Sequence, residues 1–174
     1  FIRMCDLFIY YDIIPLFIFD GRATEEKREE IVRRKKIRKE TKKLFNEINK
    51  DNDRKINSKE LIELKRKMVR VTKKETSIVE DIFKNYGFMY MKAPTESDVL
   101  CSKLVEVKKA HACLSEDMDM FMYGCPIILR NYSSTNKISV YNLKNILSYM
   151  NIDLRSFKYL CIISNLKYKD KNKN

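Results

Sequence analysis

Leu16-Phe17-Ile18-Phe19-Asp20-Gly21 is a short apolar run that stops on a carboxylate and a glycine. Further along, Ala110-His111-Ala112-Cys113-Leu114 does the same, running into Ser115-Glu116-Asp117-Met118-Asp119. Continuous apolar runs of this length, separated by helical periodicity, predict central strands of a parallel sheet covered on both faces. Open α/β sheets bring their sites to the carboxyl ends of such strands. Several acids at one sheet edge repel one another and cost stability unless a cation holds them. The pattern therefore points first to a divalent-metal site.

The 174 residues suffice for one α/β domain with its own core. At 44% apolar and 34% charged residues, the chain reads as globular and not as a disordered polymer. No apolar run approaches the roughly 20 residues a bilayer span needs, so no membrane partner is expected. The opening stretch to Tyr11 is interrupted by Arg3 and Asp6 and does not read as a signal peptide. The five cysteines are widely spaced and never form C-x-x-C, which argues against a disulfide framework or a zinc site. Most of them read as small buried hydrophobes in a reducing compartment. The single histidine, His111, lies in an apolar run and reads as a core residue; one histidine also argues against His-dependent nucleophilic catalysis.

Net charge is +12, and its location says more than its size. Between Arg22 and Lys74 there are 21 Lys or Arg against 10 Asp or Glu, so one third of the chain carries nearly all the excess. A local basic element beside an acidic sheet edge suggests a polyanionic substrate brought to a metal site.

Periodicity predicts a helix over 1–11, then the strand to Asp20. A charged helix follows from Arg22 to Ile48, with a narrow stripe of Ile37, Leu44, Phe45 and Ile48. After a polar break at 49–58, a helix resumes over 59–71. Two charged helices with thin apolar stripes read as a projecting, solvated hairpin. Ile78, Val79, Ile82, Phe83 and Tyr86 make a stronger stripe, stopped by Gly87. A strand at 88–91, a helix opened by Pro94 with Thr95 as N-cap, strands near 110–114, 127–129 and 138–141, and helices near 142–149 and 154–163 complete the α/β pattern. Asn49 to Glu60 places Asn49, Asp51, Asp53, Asn57 and Glu60 at EF-hand positions, but Arg54 stands where the loop's sharp turn wants glycine, so a simple polar turn is the expectation there.

Three stretches together resemble the flap endonuclease branch of the XPG-type structure-specific 5′ nucleases, whose core is a PIN-like α/β fold. The first is Pro15-Leu-Phe-Ile-Phe-Asp20-Gly21 with Lys27 and Arg34 after it. The second, Ala93-Pro94-Thr95-Glu96-Ser97-Asp98, is similar to the family's A-P-S-E-A-E. The third, Ser115-Glu116-Asp117-Met118-Asp119 with Tyr123-Gly124-Cys125-Pro126 and Leu129-Arg130, is close to T-E-D-M-D…F-G-x-P…L-R. The segment from Lys67 to Lys73 resembles the end of the family's helical arch.

The resemblance implies a PIN-like core with a mainly parallel central sheet flanked by helices. It implies one nuclease-core domain over 1–166, with a basic arch inserted at about 22–74 and a polar tail at 167–174. It assigns Asp20, Glu96, Asp98, Asp117 and Asp119 to the metal site, with Asp98 where the family usually has Glu. Lys27 and Arg34 would sit at the base of the arch and touch the scissile phosphate; their spacing of seven suits two turns of one helix face. Arg33, Arg66, Lys67, Arg70 and Lys73 would attract DNA phosphates diffusely.

The implied activity is a Mg2+-dependent endonuclease and 5′-3′ exonuclease acting in DNA replication and repair. Its cofactor would be two Mg2+ ions or Mn2+, which take hard oxygen ligands. The implied partner is DNA with a 5′ flap or branched junction, bound by a monomer, with a sliding clamp reached through a C-terminal region of the family. Localisation would be nuclear, with a viral replication compartment in the cytoplasm as the alternative. The chain reads as a fragment of the family's core. A leading segment with a further Asp and a Gly-rich duplex-gripping element are not found here, and Lys167 stands where the last family acid is expected. The alternative function is therefore a catalytically weak DNA-binding remnant of the same fold.

Overall fold

The computed structural model describes residues 2–50, 58–132 and 137–171. The chain divides into two units, Phe1–Phe17 with Arg22–Met91, and Ile18–Gly21 with Lys92–Asn174. Two strands, β1 (Leu16–Phe19) and β2 (Met89–Lys92), pair in a two-stranded sheet.

The first unit is mostly helical: α1 (Ile2–Tyr10), α2 (Arg28–Lys50), α3 (Ser58–Met68) and α4 (Lys73–Tyr86). Its apolar centre is aromatic. Phe17 stacks on the buried Phe83 with ring centroids 4.0 Å apart, and Phe8 and Phe88 flank Phe17 at 6.4 Å and 5.7 Å. Both ends of α4 follow from sequence. Thr72 and Glu75 form a reciprocal capping box, and Gly87 closes the helix in the left-handed region at φ 71°, a conformation that a side chain penalises. α2 and α3 pack against each other as the expected charged hairpin. Val32, Arg33, Arg34, Lys35 and Lys36 are all exposed, because the apolar stripe is too thin to bury more than one edge.

In the second unit a three-stranded sheet runs in the order β3 (Cys113–Leu114), β4 (Ile127–Arg130), β5 (Ser139–Asn142). β3 and β4 are parallel, with Cys113 opposite Ile128; β4 and β5 are antiparallel, with Arg130 opposite Ser139. Helices α5 (Ser97–Glu106), α6 (Leu143–Met150) and α7 (Leu154–Lys171) accompany the sheet. The core gathers Val105, Cys113, Met120, Phe121, Cys125, Ile128 and Leu143. The α/β class expected from the sequence is the class observed, and α7 extends past the expected start of a polar tail at 167.

Two local expectations fail. His111 is exposed and not a core residue. The chain after α5 turns through Lys108 at φ 59°, which occupies the residues up to His111 and leaves only Cys113 and Leu114 to pair as a strand. The N-cap position of the helix carrying Asp98 is Glu96, one residue beyond Thr95; Glu96 makes no side-chain cap bond, and Asp20 supplies the capping oxygen to Ser97 instead. Of the cysteines, Cys5, Cys113 and Cys125 are buried while Cys101 and Cys161 are half-buried, and all five are free thiols. The EF-hand-like stretch lies largely outside the described residues. No helix of the described residues is long and apolar enough to cross a membrane.

Candidate functional site

β1 delivers Asp20 to the start of α5. Asp20 Oδ1 accepts from the Ser97 backbone N–H at 2.9 Å and from Ser97 Oγ at 2.6 Å, so one carboxylate caps a helix 77 residues away. The connection is made rigid on both sides: Gly21 N–H donates to Thr95 O at 2.6 Å, and Ala93 N–H donates to Phe19 O at 2.9 Å. Glu96 and Asp98 flank Ser97 and are half-buried in the first turn of α5. Acids at a helix N-terminus are stabilised by the aligned peptide dipoles, so the fold itself tolerates this concentration of charge.

β3 delivers the second acidic pair. Asp117 caps a 3-10 turn at 118–121, its Oδ1 accepting from Asp119 N–H at 2.8 Å. Asp117 N–H in turn donates to Ser115 Oγ at 3.1 Å. Glu116 ties this exit to the end of β4, accepting from Asn131 N–H at 2.9 Å and lying 3.6 Å from Arg130 Nε. α5 packs on this turn and on β3, with Ser102 Oγ donating to Met120 O at 3.4 Å. Both acidic groups thus hang on neighbouring elements of one unit.

Two thiols lie near these acids. Cys101 is shifted down, first because Cys113 hydrogen-bonds to it, against burial and then the negative charges of Asp98 and Asp20, which push the other way. Cys161 on α7 is pushed up, first by burial and then by the charge of Asp119. Among the described residues, no three His, Cys, Asp or Glu side chains converge closely enough to hold a metal ion by themselves. The donors nonetheless fit a hard divalent cation in kind. They are all carboxylates, and Mg2+ keeps most of its waters and binds through one or two carboxylates rather than in an all-protein cage.

In the first unit, Lys27 ends a 3-10 turn at Glu25–Lys27 and Arg34 lies in the second turn of α2, so the two stand on consecutive segments and not on one regular helix. Arg34 and Arg33 share a single carboxylate. Glu30 Oε2 accepts from Arg33 Nε at 2.8 Å, and Oε1 accepts from Arg33 Nη2 at 3.0 Å and from Arg34 Nε at 2.8 Å. Lys67 pairs with Glu63 at 2.9 Å, and Arg66, Arg70 and Lys73 are exposed around the end of α3. The hydrogen bonds from Arg33 and then Arg34 hold the Glu30 carboxyl at about 2, against its ordinary 4.5. A lowered pKa means that this grip is present above pH 4.5 and is lost as the pH falls through about 2. Carboxyl NMR of the whole protein is expected to give Glu30 a midpoint near 2; a midpoint at the ordinary value would show that the two arginines do not hold it.

Ser97 and Glu30 hold candidate residues by hydrogen bonds that the sequence did not single out. Ser97 sits inside the Ala93–Asp98 motif, between two candidate ligands, which is the signal that could have found it. Glu30 stands three and four residues before Arg33 and Arg34, the spacing of helix-face neighbours.

Two family models match the chain: the XPG N-terminal domain over residues 1–41 and the XPG I-region over 87–166. Flap endonuclease 1 of Nematostella vectensis is 30% identical over 162 residues, covering 91% of this chain and 42% of that protein. The catalytic core of Rad2 in complex with DNA substrate superposes with a TM-score of 0.63 at 25% identity, covering 89% of this chain and 41% of that one. The Holliday junction-resolving enzyme GEN1, in complex with product DNA and Mg2+, shares the fold at a TM-score of 0.53 and 19% identity, over 83% of this chain and 26% of that one. The fold is thus the PIN-like α/β fold of these proteins. The chain belongs to the XPG family, and it spans about two fifths of the length of the flap endonuclease relatives it matches.

Proposed function

We propose that this chain is the nuclease core of a structure-specific 5′ nuclease that hydrolyses a phosphodiester of branched DNA, with 5′-flapped duplexes as its substrate class. One observation carries the reading: Asp20 leaves β1 and locks onto Ser97, between Glu96 and Asp98, in the motif where the family places its metal-binding acids. Asp117 and Asp119, held by their own turn at the exit of β3, complete the donor set.

In this reading Asp20, Glu96, Asp98, Asp117 and Asp119 hold Mg2+ or Mn2+, whose chemistry is to polarise the phosphoryl group and acidify a water. The segment from Arg22 to Lys74 forms the arch. Its lysines and arginines draw the phosphate backbone by counterion release, while Lys27 and Arg34 contact the phosphate that reacts and stabilise charge developing there. Arg33, Arg66, Lys67, Arg70 and Lys73 add affinity without sequence preference. The protein acts as a monomer on nuclear DNA.

A DNA-binding scaffold without turnover is the second reading, favoured by the lack of three convergent metal donors among the described residues. The two readings separate on one assay. The protein is incubated with 5′-flapped duplex and with unbranched duplex, each with Mg2+ or Mn2+, and binding is followed against salt. Metal-dependent cleavage near the junction of the flapped substrate is expected. Salt-sensitive binding with no cleavage under either metal would establish the scaffold instead, and absence of binding would remove both.

A further inference from the structure

We propose that Glu30 is the positioning residue for Arg34: it fixes the guanidinium so that its terminal nitrogens face a phosphate end-on. This rests on the role given to Arg34 above. The geometry is a relay of three side chains one turn apart. Arg33 grips Glu30 in a two-bond fork through Nε and Nη2, which fixes the plane of the carboxylate. The shared oxygen Oε1 then takes Arg34 through Nε alone. Among the described residues Nη1 and Nη2 of Arg34 have no partner, and its side chain is 70% exposed. An arginine with Nε engaged can meet a phosphate only by its Nη1/Nη2 edge, so the approach direction is selected before substrate arrives.

Glu29 and Glu30 both lie in the first turn of α2, where the helix dipole favours acids, and Glu30 is the one that holds two arginines at once. Lys35, Lys36, Arg38 and Lys39 follow on the same helix, and among the described residues none holds a carboxylate partner. A negative charge beside Arg34 weakens the general attraction for DNA, and what it contributes to Arg34 is a fixed direction for the guanidinium. Arginine has the rotamer freedom for such a hold to matter, since a fixed Nε removes most of its rotamers.

The test compares Glu30→Ala, Glu30→Asp, Arg34→Ala and the Glu30→Ala/Arg34→Ala double variant on 5′-flapped DNA with Mg2+, reading kcat and KM separately. Glu30→Ala is expected to lower kcat about tenfold, with KM unchanged or lower. Arg34→Ala is expected to lower kcat about a hundredfold, and the double variant no further, because one residue acts through the other. Glu30→Asp keeps the charge on a shorter arm and is expected to match Glu30→Ala. Additive losses in the double variant, or full activity in Glu30→Asp, would overturn the positioning role while leaving the nuclease reading intact. Wild-type kcat in Arg34→Ala would instead remove the role of Arg34, and this inference with it.

Discussion

Asp117→Asn is expected to lower Mg2+-dependent cleavage of a 5′-flapped duplex by roughly a thousandfold, the rate equivalent of about 4 kcal/mol in transition-state stabilisation. The substitution separates charge from structure. Asp117 caps its turn through one oxygen that accepts from Asp119 N–H. Asparagine offers the same acceptor and is as good a cap as aspartate, so folding is expected to be preserved, with the melting temperature shifted by no more than about 2 °C. What asparagine lacks is the charge that a hard cation requires. Asp117→Ala removes the cap as well and is expected to lose a further ~1 kcal/mol of stability with the same loss of cleavage. Cleavage by Asp117→Asn at the wild-type rate, in the same preparation conditions, would show that this acid holds no catalytic cation.

The second large effect is expected from Gly21→Ala, and here the loss is structural. A Cβ at position 21 would overlap the Ala93 carbonyl oxygen and sit 2.6 Å from that of Pro94. Both obstacles are backbone, so neither can swing aside. The chain at 93–95 or the exit of β1 must move, breaking the Gly21 N–H to Thr95 O bond and pulling Asp20 off Ser97. Overpacking of this kind costs about 3 kcal/mol or more. Cleavage is expected to fall at least about a hundredfold even at temperatures where the variant remains folded, since displacement of a reacting geometry by about 1 Å has that effect. Thermal denaturation and cleavage measured side by side would check it. A variant as stable as the wild type would mean that the close approach at Gly21 is not what fixes Asp20.

The sequence made the strand at Leu16–Phe19 legible because an apolar run ending on Asp-Gly has few other interpretations. The α4 stop at Gly87 and the free cysteines were legible for the same reason: each depends on local chemistry alone. Part of what stayed hidden depends on partners far along the chain. Thr95 is the better intrinsic cap, yet α5 starts later because Asp20, 77 residues upstream of Ser97, supplies the capping oxygen. His111 sits in an apolar run and would be buried in a five-residue strand, but the left-handed turn at Lys108 shortens that strand and leaves the imidazole outside. Glu30 was lost among the charges of α2, where composition gives no reason to prefer one carboxylate over its neighbours. The five candidate acids were each legible through the family motifs. How Asp20 is held was not, since its bonds to Ser97 follow from the fold and not from spacing, whereas the Asp117 bond to Asp119 N–H is a local contact two residues on.

The most direct test is crystallographic: grow the protein with Mn2+ and collect anomalous diffraction at the manganese edge. A peak is expected within coordination distance of carboxylates from both acidic groups, at least one of Asp20, Glu96 and Asp98 together with Asp117 or Asp119. Saturating Mn2+ that leaves those carboxylates without a peak, or that binds only at other surfaces, would contradict this expectation.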